Sequence, residues 1–195
     1  MKKLLSLFLS FCIISFLHAQ EKPEGLFINS KAPEFKAMDQ NGNEVVLKDL
    51  RKKSKVVVVF YRGSWCPFCS RYLKLLQDSL ESIKAKGAQV VVITPQGEEG
   101  IDSAVVRSGA SFPVIYDKDM KIANAYKVAY RVDDRTLGRY KNAGIDLLKE
   151  NNQTKEAFLP VPAVYIVNDE GSVTFRYFEE DYKKRLSINE ILKAL

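Results

Sequence analysis

Apolar and polar positions along the chain change period several times, and each change marks an element. Leu4 to Leu17 is a 14-residue apolar run interrupted only by Ser6, Ser10 and Ser15. Lys2 and Lys3 precede it, and Leu17-His18-Ala19 follows with a small residue at a cleavable position. That pattern predicts a secretory signal peptide, cleaved near Ala19; the run falls short of the ~20 residues of a membrane span. Glu21 to Lys31 is a polar lead-in carrying Pro23 and Gly25. Ala32 to Leu50 predicts a hairpin, with Phe35 and Met38 on one arm, Asp39-Gln40-Asn41-Gly42 as the turn and Val45 to Leu47 on the other arm. Lys55 to Tyr61 is nearly continuous in apolar residues, which predicts a central strand covered on both faces. Arg62-Gly63-Ser64 breaks it. Leu73, Leu76, Leu80 and Ile83 then recur at spacings of three and four, predicting one helix that ends at Gly87.

The second half continues the alternation. Gln89 to Ile93 and Phe112 to Tyr116 predict strands, while Gly97 to Ser108 and Asp119 to Tyr126 predict helices. The polar stretch 131–156 is expected to be an insertion with one helix. Val164 to Val167 and Val173 to Phe178 flank Asn168-Asp169-Glu170-Gly171 as a second hairpin. Ser187 with Glu190 supplies a capping box for a last helix. Strands alternating with helices imply an α/β protein, a three-layer α/β/α sandwich with a mixed sheet and an N-terminal β-hairpin. The expected division is a signal peptide over 1–19, a lead-in over 20–31 and a single domain over 32–195.

Composition narrows the chemistry. With 46% apolar and 28% charged residues the chain is an ordinary globular one, and seven prolines and ten glycines exclude a collagenous or wholly disordered chain. Cleavage after Ala19 would leave 176 of the 195 residues and lower the formal charge from +6 to +4, since Lys2 and Lys3 depart. Cys12 and the single histidine, His18, would depart too. Two cysteines and no imidazole then remain, which removes Ser-His-Asp triads, Cys-His nucleophiles and His-ligated metals. An exported, periplasmic or cell-envelope location permits disulfides. A charge of +4 without a nucleic-acid module gives no reason to expect a nucleic-acid partner, and no stable membrane insertion is expected. Arg51-Lys52-Lys53 with Lys55, and Lys183-Lys184-Arg185, read as solvated surface.

Trp65-Cys66-Pro67-Phe68-Cys69 carries the candidate chemistry. It follows a buried strand and opens a helix, with Pro67 suited to the first helical position, where no amide hydrogen is needed. Cys66 is placed beside free N–H groups and the positive end of the helix dipole, which favour a thiolate. Cys69 lies one turn on, within reach of a disulfide and packed toward Leu73 and Leu76, so Cys66 is the expected nucleophile and Cys69 its resolving partner. Trp65 is expected to shield the dithiol. A structural disulfide and a copper(I) site are the alternative readings, whereas two thiols cannot complete a closed zinc site.

Several segments together resemble the bacterial peroxiredoxin-like family of alkyl hydroperoxide reductase and thiol-specific antioxidant type. They are Phe60-Tyr61-Arg62-Gly63-Ser64-Trp65-Cys66-Pro67-Phe68-Cys69, Ile93-Thr94-Pro95-Gln96, Phe112-Pro113-Val114 with Asp117, Leu159-Pro160-Val161-Pro162-Ala163 and Asp181-Tyr182-Lys183-Lys184-Arg185. The resemblance runs from about Ala32 to the C-terminus and implies a thioredoxin fold with no added cofactor. Two positions depart from the family pattern. Gly63 stands where typical peroxiredoxins carry threonine, and Pro162 stands where they carry an arginine. Pro162 matches instead the cis-proline of thioredoxins, which shapes the groove beside the dithiol; a trans proline opening an edge strand is the alternative. Arg62 either replaces the missing positive charge or is a solvated loop residue. The resemblance thus implies a peroxidase acting on hydroperoxides and recycled by a thioredoxin-like reductant, with a thiol–disulfide oxidoreductase and a non-enzymatic binding protein as alternatives.

Overall fold

The computed structural model describes residues 22–195. The signal peptide, Cys12, His18 and the first residues of the lead-in lie outside the described residues.

Strands β1 (Lys36–Met38) and β2 (Glu44–Val46) form the N-terminal hairpin, which Asp39 closes by accepting the amides of Asn41 and Asn43 at 2.8 Å each. Leu47, predicted as the end of the second arm, instead starts the short helix α1 (Leu47–Arg51), fully buried. The central sheet has five strands in the order β5-β4-β3-β8-β9. Strands β3 (Lys55–Phe60), β4 (Ala88–Thr94) and β5 (Val114–Tyr116) are parallel, while β8 (Ala163–Val167) and β9 (Val173–Phe178) run antiparallel to their neighbours.

The all-apolar run of β3 follows from its central place. Val57 and Val59 point into one core, and Val56, Val58 and Phe60 into the other. On the first face lie α2 (Pro67–Asp78), α3 (Leu80–Ala85), α4 (Glu98–Ser108) and α8 (Ile188–Ala194), which bury Leu73, Leu76, Ile83, Ile101 and Ile191. On the second lie the hairpin, α1 and α5 (Lys121–Ala125), reached from β5 through a 3-10 turn over Lys118–Met120. Buried Asp117 holds the start of α5 by accepting the amides of Ile122 and Ala123 at 2.8 Å each. This is the mixed-sheet, three-layer α/β thioredoxin-like fold.

Four further features depart from the sequence reading. The helix predicted to run to Gly87 is divided at Ser79, whose φ of −107° and ψ of 6° leave the helical range. Asp78 and Ser79 hold a helix interior weakly, and beyond the break Leu80 and Ile83 stay buried in the same core. Segment 131–156 holds two helices, α6 (Asp134–Asn142) and α7 (Leu147–Glu150), parted where Gly144 adopts φ +79°. Two short strands absent from the reading, β6 (Ala129–Arg131) and β7 (Phe158–Pro160), pair to close that segment at its base. Finally, every peptide bond among the described residues is trans, so Val161–Pro162 is not a cis-proline bond. The Val161 amide donates to the Val128 carbonyl at 2.8 Å and the Pro162 carbonyl accepts from Glu179 at 3.1 Å, which holds an extended chain through the proline. Nor does Pro162 open an edge strand, because β8 lies between β3 and β9.

Candidate active site

The end of β3 delivers the chain to the candidate site. Tyr61 continues the strand with a 2.9 Å amide bond to Ile93, and the loop through Trp65 leads to Cys66, the N-cap of α2. Pro67 occupies the first turn, as predicted. The Cys66 carbonyl accepts the amides of Cys69 and Ser70 at 3.0 Å each, which fixes the helix start around the first sulfur.

Both cysteines are free thiols and each is 2% exposed. Their ionisation splits. The Cys66 thiol is drawn down to about 6, chiefly because the Cys69 thiol donates to its sulfur; the Cys69 backbone and the guanidinium charges of Arg62 and Arg185 add to this, against the cost of burial. Burial pushes the Cys69 thiol up, and the neighbouring Cys66 sulfur pushes it further. The pair therefore holds one thiolate at neutral pH, on Cys66.

Arg62 is almost fully buried, at 1% exposure. It is not a solvated loop residue. Its guanidinium lies over the rings of Tyr182 (4.3 Å), Trp65 (5.1 Å) and Tyr140 (5.7 Å), and Nη2 donates to the Tyr140 hydroxyl. Nε and Nη1 are buried with no hydrogen-bond acceptor. Tyr140 comes from α6 and also meets Trp65 edge-on at 5.2 Å. The segment between β6 and β7 thus reaches back to wall the site. Trp65 packs against this wall.

Gly63 lies three residues before Cys66. A Cβ there would meet the Trp65 indole nitrogen at 2.3 Å, and its φ of +153° is one that side chains rarely adopt. The indole therefore occupies the space that a threonine would need. Gln96 braces the same loop from β4's end: its Oε1 accepts the Ser64 amide at 2.6 Å, while Nε2 donates to Ser64 Oγ at 3.0 Å and to Glu150 at 2.6 Å. Arg107 adds a 2.8 Å bond to the Ser64 carbonyl.

From the other side comes the loop between β9 and α8. Tyr182 stacks on Arg62 and meets Phe68 edge-on at 6.0 Å. Arg185 donates from Nη2 to the Cys69 sulfur at 3.0 Å. Read from sequence as solvated surface, Arg185 is instead half-buried at the dithiol. Pro162 stands at the head of β8, whose next residue, Ala163, pairs with Phe60, so it shares the sheet end from which the site loop departs. Of the predicted site residues, Arg62, Trp65, Cys66, Pro67 and Cys69 form one constellation. Tyr140, Tyr182 and Arg185 were missed; Arg185 and Tyr182 sat inside a quoted motif, while nothing in the sequence around Tyr140 points to the site. Among the described residues no three His, Cys, Asp or Glu side chains gather as a metal site.

The AhpC/TSA family model matches residues 28–176. Two kinds of curated relative are similar to this chain. The thiol-disulfide oxidoreductase ResA of Bacillus subtilis is 24% identical over 151 residues, covering 77% of this chain and 66% of the relative. The putative peroxiredoxin bcp of Helicobacter pylori is 31% identical over 104 residues, covering 53% and 68% respectively. Among solved structures, the peroxidoxin BcpB of Mycobacterium tuberculosis is similar with a TM-score of 0.65 and 15% identity, over 86% of this chain and 92% of that one. The thioredoxin domain of a thiol-disulfide oxidoreductase from Bacteroides vulgatus gives 0.57 and 19%, over 86% and 97%. These likenesses agree on the fold, and the family match spans the strand, the loop and both cysteines. The chain belongs to the AhpC/TSA family and is a thiol-dependent oxidoreductase.

Proposed function

We propose that the protein is a peroxidase that reduces hydroperoxides at Cys66. The observation that carries this reading is a nearly closed dithiol, each cysteine 2% exposed, whose Cys66 thiol is drawn down with the help of the positive charges of Arg62 and Arg185. Such a site admits a small oxidant far more readily than a folded protein. The Cys66 thiolate attacks one oxygen of the hydroperoxide and the O–O bond breaks. The alkoxide leaves as the alcohol after taking a proton, and Cys66 becomes a sulfenic acid. Cys69 then attacks that sulfur, an S–S bond forms and water departs. Two electrons from an external dithiol protein, a thioredoxin-like reductant, restore both thiols. Trp65, Pro67 and Arg62 support the thiolate in this scheme. Timing disulfide formation after mixing the reduced protein with hydrogen peroxide tests it; oxidation no faster than that of free cysteine would overturn it.

A second reading, thiol–disulfide exchange, is favoured by Gly63, where the packing of Trp65 excludes the peroxidase threonine. Under it a Cys69→Ser variant accumulates mixed disulfides with partner proteins in cells, whereas the peroxidase reading yields sulfenylated Cys66 and no partners. We also propose export, on the strength of Lys2, Lys3 and the apolar run ending at Ala19. N-terminal sequencing of protein recovered from the cell envelope should then begin near Gln20.

A further inference from the structure

The buried resolving thiol poses a kinetic problem. Cys69 must become a nucleophile in the second step, yet burial and the adjacent Cys66 sulfur both hold its proton on. The charged and titratable groups that act on it are Cys66, Tyr61, Tyr130 and the guanidinium groups of Arg62 and Arg185, and the Arg62 backbone adds a hydrogen bond. Only Arg185 brings a guanidinium into contact with its sulfur, at 3.0 Å from Nη2. That guanidinium is not a loose surface group. Its Nη1 donates to the carbonyls of Tyr182 and, at 2.6 Å, Lys184, so its own loop clamps it. Leu186, 3% exposed, anchors the chain immediately after it, and the capping box of Ser187 and Glu190 fixes the next residue at the start of α8.

We propose that Arg185 is a catalytic residue of the resolving step, stabilising the Cys69 thiolate as it attacks the sulfur of Cys66. The inference rests on the dithiol common to both readings of the function, and it holds whether Cys66 carries a hydroxyl or a thiol adduct. In either case the Cys69–Cys66 bond forms, the bond from Cys66 to its adduct breaks, and the departing group takes the equivalent of the Cys69 proton. Hydroxide leaves as water, a thiolate as the thiol.

The size of the effect follows from two opposing trends. An opposite charge in contact lowers an acid's pKa by about one to three units. Below its pKa, each unit gains tenfold in thiolate, offset by a loss of about threefold in nucleophilicity. Two units are therefore worth roughly tenfold in rate.

Methyl methanethiosulfonate separates the steps with a small probe. Cys66 attacks it, releasing methanesulfinate and leaving a methylthio adduct; Cys69 then expels methanethiol and closes the disulfide. Rapid quenching and mass spectrometry at pH 8, well above the Cys66 value, follow both species. Arg185→Met should form the adduct within twofold of the unsubstituted rate but lose it roughly tenfold more slowly. Arg185→Lys, which keeps the charge, should recover at least a third of the second rate. An unchanged second step would overturn the proposal. So would an equal slowing of both steps, which is the mark of a structural role alone, or a failure of lysine to rescue. A parallel run with hydrogen peroxide keeps the two claims apart: if the unsubstituted protein completes both steps with the thiosulfonate but ignores peroxide, the peroxidase reading falls and the role of Arg185 is still decided.

Discussion

At the scale of single residues, the two cysteines are told apart by what surrounds them more than by exposure, which is 2% for both. Cys66 has the helix start, the Cys69 donor and two guanidinium charges; Cys69 has burial and a neighbouring sulfur. Iodoacetamide at pH 7 should therefore modify reduced Cys66 at least ~10-fold faster than Cys69, as a gap of more than one pKa unit requires. The Cys66 rate should rise from pH 5 and level off above pH 7, because thiolate accumulates through a midpoint of about 6. Peptide mapping checks the order, and Cys69 labelled first would reverse the roles. Gly63 makes a second residue-scale case. Gly63→Thr must displace the indole of Trp65, the one tryptophan in the chain, from contact with the new Cβ. We expect a loss of about 2–3 kcal/mol in chemical denaturation, together with a changed tryptophan emission maximum. Such residues also mark where reading from sequence ends. The thiols were legible because Cys-x-x-Cys follows an apolar strand, a purely local signal. Arg62 was undecidable because its burial comes from Tyr140 and Tyr182, which no local pattern connects to it.

Elements were most legible where a single period persists. The valines of β3 declare a strand covered on two faces, and β9 and the capped α8 were bounded closely by their turn and cap residues. Three-residue strands such as β6 and β7 carry too few positions to show a period, and β7 ends in proline. The break at Ser79 was hidden because the apolar spacing continues across it. The cap of α8 offers a direct test at this scale. Ser187 Oγ accepts the Glu190 amide at 3.2 Å, and the Glu190 carboxylate accepts the Ser187 amide at 3.1 Å. Ser187→Ala should cost about 1 kcal/mol, a fall of roughly 2–4 °C in melting temperature for a chain of this size.

Across the whole molecule the sheet separates two large cores, and a third, smaller one sits outside them. Val132, Leu147, Ala157 and Leu159 form its centre, with Trp65 and Tyr140 packed against it. The segment between β6 and β7 therefore has a core of its own that meets the rest of the protein at the active site. Leu147→Ala should cost about 2–5 kcal/mol locally. Hydrogen exchange is expected to accelerate through α6 and α7 while β3, β4 and β8 keep their protection. The same variant should raise the Cys66 titration midpoint, followed by thiolate absorbance, because Tyr140 no longer holds Arg62 in place. Exchange that quickens uniformly over the sheet would show that the third core is not a separate cooperative unit.

The buried guanidinium of Arg62, which has no carboxylate against it, has an electrical consequence when the dithiol closes. Oxidation removes the negative charge at Cys66 and leaves a buried cation whose Nε and Nη1 still lack acceptors. The reduced state gains a counter-charge that the disulfide cannot offer, so the equilibrium is pulled toward dithiol. A tenfold bias of this kind moves a two-electron couple by about 30 mV. The Cys66–Cys69 couple should accordingly lie above the roughly −270 mV of thioredoxin, and Arg62→Met should lower it by roughly 30 mV. Equilibration with glutathione buffers measures both. A couple of this kind draws electrons readily from its donor and surrenders them only to a strong oxidant.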